Sequence, residues 1–83
     1  MQARQPVKTL QFEAPDGDDI DLVAVGGMGA PAMYLISLTE DGTLVIENSD
    51  GSESTLTPPV GFAIPGAFTS VADGSTASFI AVW

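Results

Sequence analysis

Apolar residues recur with a period of two along almost the whole of this chain, and every eleven-residue window contains a glycine or a proline. A pattern of that kind cannot lay down a helical stripe, so it commits the chain to short strands. Runs rich in β-branched or aromatic residues predict strands over 9–12, 20–25, 33–39, 43–48, 53–57, 67–72 and 75–83. In the second of these, Ile20, Leu22 and Ala24 share one face, with Asp21, Val23 and Val25 on the other.

Turn chemistry agrees. Asp-Gly occurs at 16–17, 41–42, 50–51 and 73–74. Glycine takes positive φ freely and Asp tolerates it, as tight hairpin turns demand. Pro58, Pro59 and Pro65 cannot donate to a ladder, which predicts an edge segment or a corner over 60–64. The expected architecture is all-β: a small antiparallel barrel or sandwich of about seven strands, jelly-roll-like or Greek-key. Residues 9–83 form its single domain, preceded by residues 1–8, which are polar, hold both cations, Arg4 and Lys8, and read either as a frayed terminus or as an extended arm that orders on a partner's acidic groups.

Size then bears on the working form. With 83 residues, a chain buries only about 60% of its unfolded surface. The chain has no cysteine and no histidine, so neither a disulfide nor a zinc site reinforces it. Association between copies is the remaining device, and a hydrophobic content of 45% can supply the interface. A homo-oligomer is expected.

Eleven acidic residues face two basic ones, for a formal charge of -9. Nucleic-acid binding needs Lys and Arg to displace counterions from phosphates, so it is excluded as a partner class. Anionic membrane surfaces are disfavoured for the same reason. The longest uncharged stretches are broken by glycine and proline, which lipid would leave with unpaired backbone groups, and the chain reads as soluble.

Catalytic groups are scarce. Without His or Cys there is no nucleophilic triad and no thiol chemistry, and Lys8, the one lysine, lies in the segment 1–8, a poor place for a desolvated nucleophile. No enzyme and no cofactor is expected. Asp16, Asp18, Asp19 and Asp21 form the one weak calcium candidate, although Ile20 and Asp21 stand where an EF-hand loop needs an oxygen ligand and a glycine. The run Gly26-Gly27-Met28-Gly29 lacks the Lys of a phosphate loop and reads as a connection or bulge. Met28, Pro31 and Met33 make that connection a candidate contact loop. Phe62, Trp83, Arg4 and Lys8 complete the expected partner interface, with Trp83 placed at a seam between subunits.

The second half of the chain carries a resemblance. Gly42-Thr43-Leu44-Val45-Ile46 and Asp50-Gly51-Ser52-Glu53-Ser54-Thr55-Leu56 form a hairpin pattern. Pro59-Val60-Gly61-Phe62-Ala63-Ile64-Pro65-Gly66-Ala67-Phe68 follows, and then Gly74-Ser75-Thr76-Ala77-Ser78-Phe79-Ile80-Ala81-Val82-Trp83. This series resembles small virion proteins of tailed bacteriophages, of the head-decoration (cement) and head-spike-base types. It covers roughly residues 42–83. Members of that group often carry a basic residue near 66–68 and along the next strand, where this chain has Ala67 and Thr69. The docking surface here must therefore differ. The resemblance implies a virion structural protein, made in the host cytoplasm and bound to the outer capsid surface, with the major capsid protein as partner. A decoration role favours a trimer; the variants are a spike base, as a pentamer, or a tail-associated part. Two readings from other classes are an acidic DNA-mimic inhibitor and a glycan- or receptor-binding module.

Overall fold

The computed structural model describes residues 8–83. Arg4 and nearly all of the expected arm lie outside the described residues. In chain order the elements are β1 (Thr9–Phe12), β2 (Ile20–Asp21), the helical turn α1 (Leu22–Gly26), β3 (Ala32–Ser37), β4 (Leu44–Asn48), β5 (Glu53–Leu56), β6 (Ala63–Val71) and β7 (Phe79–Val82). All seven strands join one antiparallel sheet in the order β1-β7-β3-β6-β4-β5, with β2 attached to β6 off that path. The all-β architecture is as expected, but the sheet is open and does not close into a barrel. Its edges, β1 and β5, are four residues each, a length that limits how much unpaired backbone they expose.

The long strand β6 organises the sheet. Its first half pairs with β3, opposing Ile64 to Leu35 and Pro65 to Tyr34. Its second half lies between β4 and β2, with Val71 opposite both Ile46 and Ile20. The proline-flanked stretch expected at an edge or corner therefore enters an interior strand at Ala63. Pro65 is tolerated because β4 pairs with β6 only from Phe68 onward, so on that flank no ladder needs its missing N–H.

Only one of the four Asp-Gly turns joins paired neighbours. Asp50-Gly51 closes the β4–β5 hairpin, with Gly51 at φ 88° and its N–H donated to the Asn48 carbonyl at 2.9 Å. The other three connect strands that are not adjacent: β1 to β2, β3 to β4 across β6, and β6 to β7 across β3. All three join strands that run the same way in the sheet, so a turn signal fixes neither a reversal of direction nor which strand lies alongside.

The expected strand over 20–25 is overturned after Asp21. The Asp21 carboxylate accepts from the Val23 and Ala24 amides at 3.1 and 3.2 Å, an N-cap, and Gly27 closes the turn in the left-handed conformation at φ 66°. The glycine run is thus a helix terminus and not a bulge. The expected strand over 75–83 also begins late, at Phe79. Before it, hydroxyls take over the ladder against β4: Ser75 Oγ accepts from the Val45 amide at 2.8 Å and Thr76 Oγ1 from the Thr43 amide at 2.9 Å.

The core consists of Leu22, Ala32, Leu35, Leu44, Ile46, Phe68, Val71, Ala77, Phe79, Ala81 and Trp83, all buried. Trp83 is 4% exposed within its own chain, which overturns its placement at a subunit seam. Its indole N–H donates to the Leu22 carbonyl at 3.1 Å, and its backbone N–H donates to the Lys8 carbonyl at 2.9 Å. A Cβ at Gly26 would stand 2.3 Å from the indole nitrogen, so the ring fits only because α1 ends on glycine. Burial of the ring and its polar tip is satisfied inside one subunit.

Candidate assembly surface

Register assigns each residue of the β1-β7-β3-β6 half to a face. On the inner face, Leu10, Ala81, Leu35 and Ile64 oppose one another across the four strands. The outer face carries the row Gln11, Ile80, Ile36 and Ala63, and next to it the row Thr9, Val82, Tyr34 and Pro65. None of these eight outer residues is charged. Ile36, Ile80 and Val82 are half-buried by their neighbours alone, and Tyr34 is 37% exposed. This two-row face of an acidic chain is uncharged and partly open to solvent.

The outer face of β4 and β5 is different. There Glu47 stands directly opposite Glu53, and Val45 opposite Thr55. Like charges on a cross-strand pair are destabilising, so this half is built for solvent.

A second apolar feature lies where β5 returns to β6. Pro59, Val60, Gly61 and Phe62 form a tight turn, with the Phe62 N–H donated to the Pro59 carbonyl at 3.2 Å. Val60 and Phe62 are 52% and 56% exposed, the most exposed of the large hydrophobic residues described. Grooves flank the Pro58-Pro59 ridge on both sides. One, of about 660 Å³, is lined by Leu38, Glu40, Asp41, Thr57, Pro58, Pro59 and Val60. The other, of about 260 Å³, has almost wholly apolar walls and includes Leu56, Phe62 and Ile64.

The residues expected at the interface scatter. Phe62 is exposed beside the second groove. Met33 is 41% exposed at the bulge where the β3–β6 register shifts, but Met28 packs against the core and Pro31 is half-buried. The connection after α1 is therefore not one apolar contact loop. Trp83 is internal. Lys8 is fixed by its carbonyl to Trp83, and Arg4 lies outside the described residues. The outer-face residues Ile36, Ile80, Val82 and Tyr34 escaped sequence reading because both faces of β3 and β7 are apolar, so alternation could not tell inside from outside.

The carboxylates of 16–21 do not converge as ligands. Asp21 caps α1, and Asp19 accepts from the Asp73 amide at 2.9 Å, tying two loops together. Among the described residues no group of three or more acidic side chains is placed to hold a metal ion. At the hairpin, Ser52 donates its hydroxyl to Asp50 at 2.6 Å and its amide at 2.9 Å. These bonds, the hydroxyl's first, hold the Asp50 carboxyl below its ordinary range. No helix of the described residues is long and apolar enough to cross a membrane.

Fold and surface together define a small open-sheet β-domain with one uncharged face and an exposed proline-flanked turn. No protein-family model matches the chain, and neither a curated protein nor a solved structure does.

Proposed function

We propose that this chain is a capsid decoration protein: a homo-oligomer that seats on the outside of a bacteriophage shell and stabilises it. One observation carries the binding part of that reading. In a chain of charge -9, the outer face of β1, β7, β3 and β6 holds two cross-strand rows without a single charge. Solvent alone gives no reason to keep that face free of the Asp and Glu so frequent elsewhere, whereas a covering partner does, because a buried unpaired carboxylate is costly. The shell is the covering partner in this reading. The resemblance over 42–83 supports the virion setting, and the absence of any cation after Lys8 suits a part that never meets packaged DNA.

The distribution of carboxylates argues against a DNA mimic. They cap α1, tie loops or occupy turns and the β4–β5 hairpin, and they do not line one continuous face.

Quantitative mass spectrometry of purified virions tests the reading. Hundreds of copies per particle are expected for decoration, and a few dozen would move the assignment to a spike base or tail part. Absence from virions, together with failure of the pure protein to cosediment with shells, would overturn it.

A further inference from the structure

The larger groove beside the Pro58-Pro59 ridge pairs apolar walls with acid. Leu38, Pro58, Pro59 and Val60 supply the apolar part, and Glu40 and Asp41 lie exposed at its margin. A ligand of matching chemistry is an extended segment carrying one cation among small apolar and polar residues. This chain contains such a segment. Residues 1–7, Met-Gln-Ala-Arg-Gln-Pro-Val, hold Arg4, and the only other cation of the protein is Lys8.

Strand geometry decides whose groove the segment can reach. Thr9 pairs with Val82, which pairs on its other side with Tyr34, so the chain enters the sheet at the Tyr34 end of β3. The groove begins at the other end, at Leu38, whose amide donates to the Ser78 carbonyl. Five residues along β3 and two strands across put Leu38 about 19 Å from Lys8. Glu40 lies beyond it. Four residues at full stretch carry Arg4 at most about 14 Å from Lys8. The chain would also have to turn back on itself, since β1 points it away from the groove. Its own groove takes a reversal of the chain and nearly the full stretch of the segment, whereas the groove of a neighbour set end to end lies along the direction in which β1 already points.

Resting on the homo-oligomer of the proposed function, we infer that residues 1–7 of each copy dock in the Leu38–Val60 groove of the next, with Arg4 paired to Glu40 and Asp41. Donor and acceptor surfaces sit at opposite ends of the subunit, so the contact is head-to-tail. Such contacts close into rings when the rotation permits, as in a trimer or pentamer. Pro6 stiffens the segment and lowers the entropy lost on docking. Val60 is then part of one wall of a subunit contact, which accounts for its exposure.

Charge reversal in the full-length chain tests this by native mass spectrometry and sedimentation velocity over a concentration series. Arg4→Glu and Glu40→Lys are each expected to raise the dissociation constant of the oligomer roughly tenfold. The double variant Arg4→Glu/Glu40→Lys is expected to restore most of the loss, which a general charge effect or misfolding would not do. If the wild-type protein oligomerises and the single variants match it, or if the double variant stays weak, the arm contact is overturned and the decoration reading stands. A wild-type chain that is monomeric at every concentration overturns both.

Discussion

The two halves of the sheet treat their outer faces in opposite ways. Over β1, β7 and β3 the outer rows are uncharged and mostly apolar, while over β4 and β5 a carboxylate faces a carboxylate as Glu47 and Glu53. Their inner faces differ as well. Ala81, Leu35 and Phe79 are fully buried beside Trp83, whereas Leu56 on the β5 edge is only half-buried and opens onto a groove. The β7–β3 half therefore carries the uncharged face and the Trp83 corner of the core, while the β4–β5 hairpin gives Leu44 and Ile46 to the core from β4 and leaves its outer side and the β5 edge to solvent. Repulsion across the hairpin is tolerable because the turn is independently fixed, by Gly51 and by the two bonds from Ser52 to Asp50.

The largest effect that would break this contrast is on the inner face. Trp83→Ala empties the space against Gly26 and leaves the Leu22 carbonyl without its donor. Truncation of a buried Trp costs about 3–5 kcal/mol, enough to unfold much of so small a domain at room temperature. Leu56→Ala is expected to cost about 1 kcal/mol. Urea denaturation followed by circular dichroism separates them, and equal losses would mean that the β5 edge contributes as much as the Trp83 corner of the core.

Next in size is the outer face. Under the decoration role proposed above, Ile80→Glu puts a carboxylate in the centre of the uncharged rows and should weaken cosedimentation with capsid shells roughly a hundredfold, with a smaller cost in the urea midpoint because Ile80 is half-buried by its neighbours. Thr55→Glu, on the outer face of β5, should leave shell binding intact. Equal binding by both variants would show that the shell does not cover the β7–β3 face.

A smaller and opposite effect is expected at the hairpin. Glu53→Gln removes the charge facing Glu47 and should stabilise the domain by about 0.5 kcal/mol. The gain should shrink in molar salt, where exposed charges are screened. A loss of stability would mean that Glu53 has a favourable partner.

The smallest effect concerns Asp50. Its carboxyl titrates lower in the folded chain than unfolded because Ser52 donates to the ionised form. Its contribution is therefore complete above the ordinary carboxylate range and is lost as the pH falls through the folded value, below about pH 4. The stability difference between the wild type and Asp50→Asn should be constant from pH 5 to 7, within roughly the error of urea titration, and should narrow below that. A difference that grew on acidification would reverse the sign assigned here.

Much of the fold was legible from the residues. β1 falls at the expected 9–12, and β3, β4 and β5 lie within two residues of expectation at each end, because alternation and turn residues are local signals. What failed was also local in cause. The helical turn after Asp21 has its own signature, an Asp cap and a glycine stop, but five residues are too few for periodicity to register. Ser75 and Thr76 resemble strand residues, yet their hydroxyls take two of the amide bonds that a regular ladder would give to backbone carbonyls, beside the Thr76 amide bond to the Thr43 carbonyl. Of the candidate surface, only Phe62 and Met33 were named beforehand and remain exposed. Glu40, Asp41 and Val60 had no sequence signal linking them, since the groove unites two loops distant along the chain.

By itself the sequence determined that the chain would be all-β, short-stranded, acidic and without thiol or imidazole chemistry, because composition and period-two patterning act residue by residue. Tertiary structure alone decided that β6 would lie between β3 and β4, that the indole would close the core of its own subunit, and which apolar face would be left bare. The physical reason is that strand order and facing depend on contacts between segments remote in the chain. In Phe79-Ile80-Ala81-Val82, apolar on both sides, nothing short of the neighbours themselves says which side is in.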